Sequence, residues 1–142
     1  MIYTPMTKRA LQLCFDAHKD QTDKSGLPYV FHPFHLAEQM QDEDTTVAAL
    51  LHDVVEDTRY TFDDLQAMGF PAHILEALKL LTHNDAVPYM EYVAALKQNS
   101  IAKAVKLADL RHNSDRTRLD YIDERTEQRC AKYEAAIQLL EE

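Results

Sequence analysis

The sequence predicts an all-α protein, and two observations carry that expectation. Only two Gly and five Pro are spread over 142 residues, too few breaks for the many short strands of a β-rich fold. Apolar residues also recur at three- and four-residue spacing along most of the chain, the period of an amphipathic helix. At this length, residues 1–142 read as a single domain with no linker, repeat or low-complexity segment. The apolar fraction of 46% is enough for an ordinary packed core.

The elements follow in order. A first helix is expected from Thr7 to Lys19, with Ala10, Leu13, Cys14 and Ala17 on one face. Gly26, Pro28 and Pro33 then mark QTDKSGLPYVFHPF as an ordered loop. Pro33 suits the first turn of a second helix running to about Met40. Asp42 to Asp44 offer an N-cap for a third, VAALLHDVV, whose run Val47–Leu51 is apolar on every side and so belongs at the centre. Thr61 and Asp64 cap a short helix that stops at Gly69. Pro71 opens the next, with Ile74, Leu75, Leu78 and Leu81 inward. Thr82 to Pro88 reads as a loop, followed by helices over Met90–Gln98 and Ser100–His112. A last, highly charged helix runs from about Asp123 to Leu140 with Ile137 and Leu140 inside.

The net charge of −9, from 15 basic and 24 acidic residues, argues against a broad surface for a nucleic-acid duplex. It leaves room for a small phosphorylated ligand, since a cation and one or two local basic residues can reverse the field inside a cleft. Cys14 and Cys130 stand alone without metal-type neighbours and read as buried thiols in a reducing compartment. No stretch resembles a signal peptide or a membrane span. The expected location is therefore the cytoplasm.

Three stretches can carry chemistry. In HDVVEDT, residues 52 to 58, His52 and Asp53 close a very apolar segment, where an unpaired carboxylate costs several kcal/mol. Glu56 and Asp57 follow at helical spacing, so three acids crowd one helix end and would repel without a cation. In KLADLRHN, residues 106 to 113, Asp109 interrupts an apolar stripe and Asn113 lies on the same face. His32 precedes Pro33 in the loop. Each has a plainer reading when taken alone. Asp53 or Asp57 can cap backbone groups, and His52 can be a hydrogen-bonded core histidine. Asp109 can pair with Lys106 or Arg111, and His32 can be a surface residue. His18, His73, His83 and His112 have no such context and read as structural or exposed.

Taken together and in order, KSGLPYVFHP, AALLHDVVEDT, TFDDL and VKLADLRHN resemble the hydrolase domain of the RelA/SpoT type, within the HD superfamily. The resemblance runs from about Ala10 to Asn113. It implies a compact multi-helix fold around one divalent metal site, with Mn²⁺ as the metal and His32, His52, Asp53 and Asp109 as ligands. It assigns Glu56 and Asp57 to the attacking water, and Lys24, Ser25 and Asn113 to the nucleotide pocket. The implied reaction is removal of the 3′-pyrophosphate of guanosine tetra- or pentaphosphate. Another phosphorylated nucleotide or metabolite as substrate is one alternative, and a scaffold that senses nucleotides without turnover is another. Two positions depart from the family pattern. Asp23 stands where an Arg usually precedes the pocket Lys, and Arg116 stands where a Thr often follows the pocket Asn. If Asp23 faced the phosphates, Asp23→Arg would raise ppGpp turnover, with Arg116 as a substitute cation.

Overall fold

The computed structural model describes residues 1–142, which form nine α-helices and one 3₁₀ turn. The helices are α1 (Pro5–His18), α2 (Phe31–Glu38), α3 (Glu43–Leu51), α4 (Val54–Asp57) and α5 (Phe62–Ala67). They continue with α6 (Ala72–Leu81), α7 (Tyr89–Leu96), α8 (Ser100–Asn113) and α9 (Glu124–Glu141), and the 3₁₀ turn is Arg116–Arg118. The all-α expectation holds, the sole bridge being Thr22 with Pro28.

Local chemistry explains where the helices start. Thr4 and Thr7 form a capping box ahead of α1, and Pro5 takes the first turn, so this helix begins two residues before the expected Thr7. Asp42 caps α3 by accepting from Thr45 N at 2.8 Å. Thr61 and Asp64 cap α5 reciprocally, and Gly69, at φ +91°, ends that segment in the left-handed region. Asn99 caps α8 through Ala102 N at 2.9 Å.

Helix α3 is the hub: every residue from Thr45 to Leu51 is buried, and α1, α2, α6 and α8 pack around it. Full burial of each Leu or Val side chain contributes about 1.5–3 kcal/mol, which makes this all-round apolar segment the main support of the core. Helix α9 packs across α7 and α8, burying Cys130, Ala136 and Leu140.

One boundary differs in a way that matters for the site. The sequence suggests one helix through VAALLHDVV, but α3 ends at Leu51 and α4 restarts at Val54. Between them His52 Nδ1 bonds the carbonyl of Ala49 at 2.7 Å, and Asp53 sits at φ −108°, ψ 1°. A side chain competing for a helical carbonyl favours such a break. Asp53 is thereby turned out of the helical path and meets Tyr29 of the loop before α2.

Candidate metal centre and adjoining cleft

Three buried side chains converge from three separate helical segments. His32 comes from the first turn of α2, His52 from the end of α3, and Asp109 from the middle of α8. One ligand atom from each lies within 4.8 Å of the others. His32 Nε2 is 2.9 Å from Asp109 Oδ1, and His52 Nε2 is 3.6 Å from the same oxygen. Asp53 Oδ2 lies 3.1 Å from His52 Nε2, so its carboxylate borders the group.

The ring of His52 has a fixed orientation. Its Nδ1–H donates to Ala49 O, which leaves Nε2 facing the two aspartates. Although Asp53 is within ion-pair distance, Nε2 is buried and makes no aligned hydrogen bond. A buried nitrogen without a hydrogen-bond partner, beside two carboxylates and a second imidazole, is a donor set that fits one divalent cation. The backbone carbonyl behind His52 is the kind of outer partner that metal-binding histidines use.

The two aspartates are held as carboxylates by different means. Burial pushes Asp109 up, but Lys106, 3.0 Å from Oδ2, together with His32 and His52, brings it well below the usual carboxylate range. Asn113 Nδ2 also donates to Asp109 Oδ1 at 3.1 Å. Asp53 is likewise pushed up by burial and brought down overall, chiefly by His52 and also by the hydroxyl of Tyr29, which donates to Oδ2. Lys106 stays charged despite its burial, resting its ammonium against the rings of Tyr89 and Tyr92 at 5.8 and 5.2 Å.

Glu56 and Asp57 lie on α4, beyond the break at Asp53, with solvent-facing edges. Partial burial, followed by the charge of Asp53, raises both carboxyls above their ordinary values. The backbone carbonyl of Asp57 accepts from Gln21 Nε2 at 3.1 Å, which ties α4 to the loop after α1.

A cleft of about 520 Å³ opens over the centre, with His32, Asp53 and Asp109 at its floor. Lys24, Ser25 and Asn113 line it, as do Tyr29, Arg118 and Arg129. Burial lowers Lys24, and so do the neighbouring Arg129 and Arg125. Glu56 and Asp57 are outside this lining.

Asp23 and Arg116 take other roles than an arginine substitution scheme requires. Asp23 Oδ1 organises its own loop, accepting from Ser25 N, Ser25 Oγ and Leu27 N at 2.9, 2.8 and 3.0 Å. Its Oδ2 meets Arg118 at 3.4 Å. Arg116 turns away and pairs with Glu127 and Glu134. The cation beside Asp23 is therefore Arg118, which the motifs did not single out.

His112 is also more than a bystander. Its Nδ1 lies 2.7 Å from His32 Nδ1, and His35 stacks on it at a centroid separation of 4.2 Å. Burial, then the charge of Arg118, lowers it to about 4, which keeps it neutral. Its position three residues after Asp109 on one helix was the available signal. Arg118 and Arg129 fall outside every motif and carried no comparable signal.

The architecture is that of a helical domain whose central helices gather histidines and aspartates under an open, partly basic cleft. The chain belongs to the HD domain family, whose model matches residues 10–112. It is 33% identical over 121 residues to the bifunctional (p)ppGpp synthase/hydrolase SpoT of Escherichia coli K12, covering 75% of this chain and 17% of that protein. It is 32% identical over 142 residues to the GTP pyrophosphokinase of Myxococcus xanthus, covering 88% of this chain and 18% of that protein. The chain thus spans less than a fifth of these curated relatives. A solved structure of a metazoan ortholog of SpoT, described as hydrolysing ppGpp, superposes with a TM-score of 0.75 at 26% identity, covering 99% of this chain and 88% of that one. No helix is long and apolar enough to cross a membrane.

Proposed function

We propose that residues 1–142 form one HD-type phosphohydrolase domain that removes the 3′-pyrophosphate of guanosine tetra- or pentaphosphate. In this reading His32, His52, Asp53 and Asp109 hold a single Mn²⁺. The observation that carries it is the placement of a nitrogen- and oxygen-lined group at the floor of a cleft edged by Lys24, Arg118 and Arg129. Similarity to the SpoT hydrolases supplies the substrate. Mn²⁺ is preferred over a structural zinc because the donors are imidazole and carboxylate, while Cys14 and Cys130 are buried without contributing to the group.

A bound cation would lower the pKa of a water and offset charge on the phosphoryl group. The protein's own residues do the rest. Lys24, Ser25 and Asn113 orient the nucleotide from the cleft wall. Glu56 or Asp57, with raised carboxyl pKa, accepts the proton of the attacking water. The water oxygen joins phosphorus as the bond to the 3′-oxygen breaks; pyrophosphate departs, and the 3′-oxygen takes a proton from solvent to become a hydroxyl.

Turnover of a panel of phosphorylated nucleotides, with and without Mn²⁺, tests this, alongside metal analysis of the wild type and Asp109→Ala. Mn²⁺-dependent pyrophosphate release from ppGpp, lost in Asp109→Ala together with the metal, is the expected result. Turnover of a different nucleotide alone would move the substrate assignment, and binding without turnover would make the domain a sensor. Unchanged metal content in Asp109→Ala would remove that ligand.

A further inference from the structure

The contact between His32 and His112 is an in-plane hydrogen bond and not a face-to-face stack. The two ring planes differ by only 11°, yet their centroids are 4.9 Å apart while the Nδ1 atoms are separated by 2.7 Å. Rings joined edge to edge through nitrogen have that combination of values. Rings stacked face to face at such a centroid distance could not bring two ring nitrogens so close. One proton lies between the two nitrogens, because two N–H groups cannot point at each other across 2.7 Å.

Which ring carries that proton decides what His32 can do. An imidazole that gives the lone pair of Nε2 to a cation must keep its own proton on Nδ1. His112 must then accept at Nδ1 and carry its proton on Nε2. The reverse arrangement, with His112 donating, places the proton of a neutral His32 on Nε2 and blocks that atom as a ligand.

We propose that His112 is a positioning residue of the metal centre, accepting from His32 Nδ1–H and thereby presenting Nε2 of His32 to the cation. The proposal rests on the reading of His32, His52, Asp53 and Asp109 as metal ligands. His112 is well placed for the role. It is three residues beyond Asp109 on α8, so one rigid helix carries both a ligand and the orienting group of another ligand. On its face lies His35, from the same helix as His32, at a centroid separation of 4.2 Å and an interplanar angle of 26°. Helices α2 and α8 are thus keyed together at the height of the metal group. His52 is oriented differently, through the main-chain carbonyl of Ala49. The two histidine ligands therefore use opposite kinds of anchor, one side chain and one backbone.

The test is Mn²⁺ affinity of the full chain, measured by calorimetry without substrate, for wild type, His112→Phe and His112→Asn. Phenylalanine keeps a flat ring against His35 and offers no acceptor. Asparagine can place its amide oxygen where Nδ1 stood. His112→Phe is expected to bind Mn²⁺ roughly 10–100-fold more weakly, in line with loss of an outer-sphere partner, and His112→Asn is expected to recover most of that loss. If wild type binds Mn²⁺ and His112→Phe binds equally well, the centre stands and the role of His112 falls. If wild type binds none, the ligand reading fails and this proposal with it. Nitrogen-15 NMR of the wild type loaded with diamagnetic Zn²⁺ gives an answer that does not depend on any variant folding. It is expected to show His112 protonated on Nε2 and bare at Nδ1. A proton on His112 Nδ1 in the loaded protein overturns the proposal.

Discussion

The hydroxyl of Tyr29 donates to Oδ2 of Asp53, joining the loop after α1 to the break between α3 and α4. Tyr29 also lies 4.9 Å from the ring of the fully buried His18, so its ring packs while its oxygen points at the metal group. Tyr29→Phe keeps the ring and frees Asp53 to rotate. The expected outcome is a native circular dichroism spectrum with Mn²⁺ affinity lowered about tenfold, read by metal titration. Unaltered affinity would show that Asp53 needs no such restraint.

Glu56→Gln separates folding from chemistry. The side chain keeps its shape and solvent-facing position but can no longer take a proton. Turnover is expected to fall about a hundredfold or more, with metal content unchanged. A near-normal kcat would leave proton acceptance to Asp57, and Asp57→Asn would then be the variant to show the loss.

Asp23→Arg is expected to impair the protein, even though Asp23 itself lines the cleft. The substitution removes three hydrogen bonds that shape the Lys24–Ser25 loop and puts two cations in contact at Arg118. Arg118→Ala, which leaves that loop bonded, is expected to raise KM for the nucleotide about tenfold if one charged hydrogen bond of ~1.5 kcal/mol is lost. Steady-state kinetics on both variants decide this, and an improved kcat/KM in Asp23→Arg would refute the structural role of Asp23.

Cys14 is 1% exposed, and its thiol is pushed up to about 12 by burial and by the charge of Asp53. Because the thiolate is the reactive form, the raised pKa keeps Cys14 almost wholly protonated at pH 8. Iodoacetamide is expected to leave Cys14 unlabelled in the native protein and to label it after denaturation, as peptide mass spectrometry would show. Rapid labelling under native conditions would contradict the burial of α1 against the core.

Helix order was legible because the apolar spacing and the caps agree at almost every element. Thr61 with Asp64, Asp42, and the all-round apolar Val47–Leu51 each found the role their chemistry predicts. The break at His52–Asp53 was not legible, since it comes from a side chain bonding a carbonyl within its own helix. At the site, separate motifs carried His32, His52 and Asp109, and the fold brings them together. What surrounds them depends on tertiary approach. Arg118 comes to Asp23 across 95 residues, and His112 to His32 across 80. No local pattern encodes the meeting of Arg118 with Asp23, and for His112 the spacing from Asp109 gives its helix face but not its partner.

The wide separation of the ligand segments also bears on how the domain comes apart. His32 and Asp109 are 77 residues apart in sequence, so one ion gripping both would act as a removable clasp around most of the chain. An ion that binds the folded chain but not the unfolded one adds stability by mass action, about 2.7 kcal/mol at a free concentration one hundred times its Kd. Helix α2 has only eight residues and no side-chain cap at its start, so a bound ion would add to the packing that holds it against α3 and α8. Chelation would then do more than halt chemistry: it would lower the melting temperature and expose the α2 edge to proteases, making the lifetime of the folded chain a readout of the surrounding metal supply.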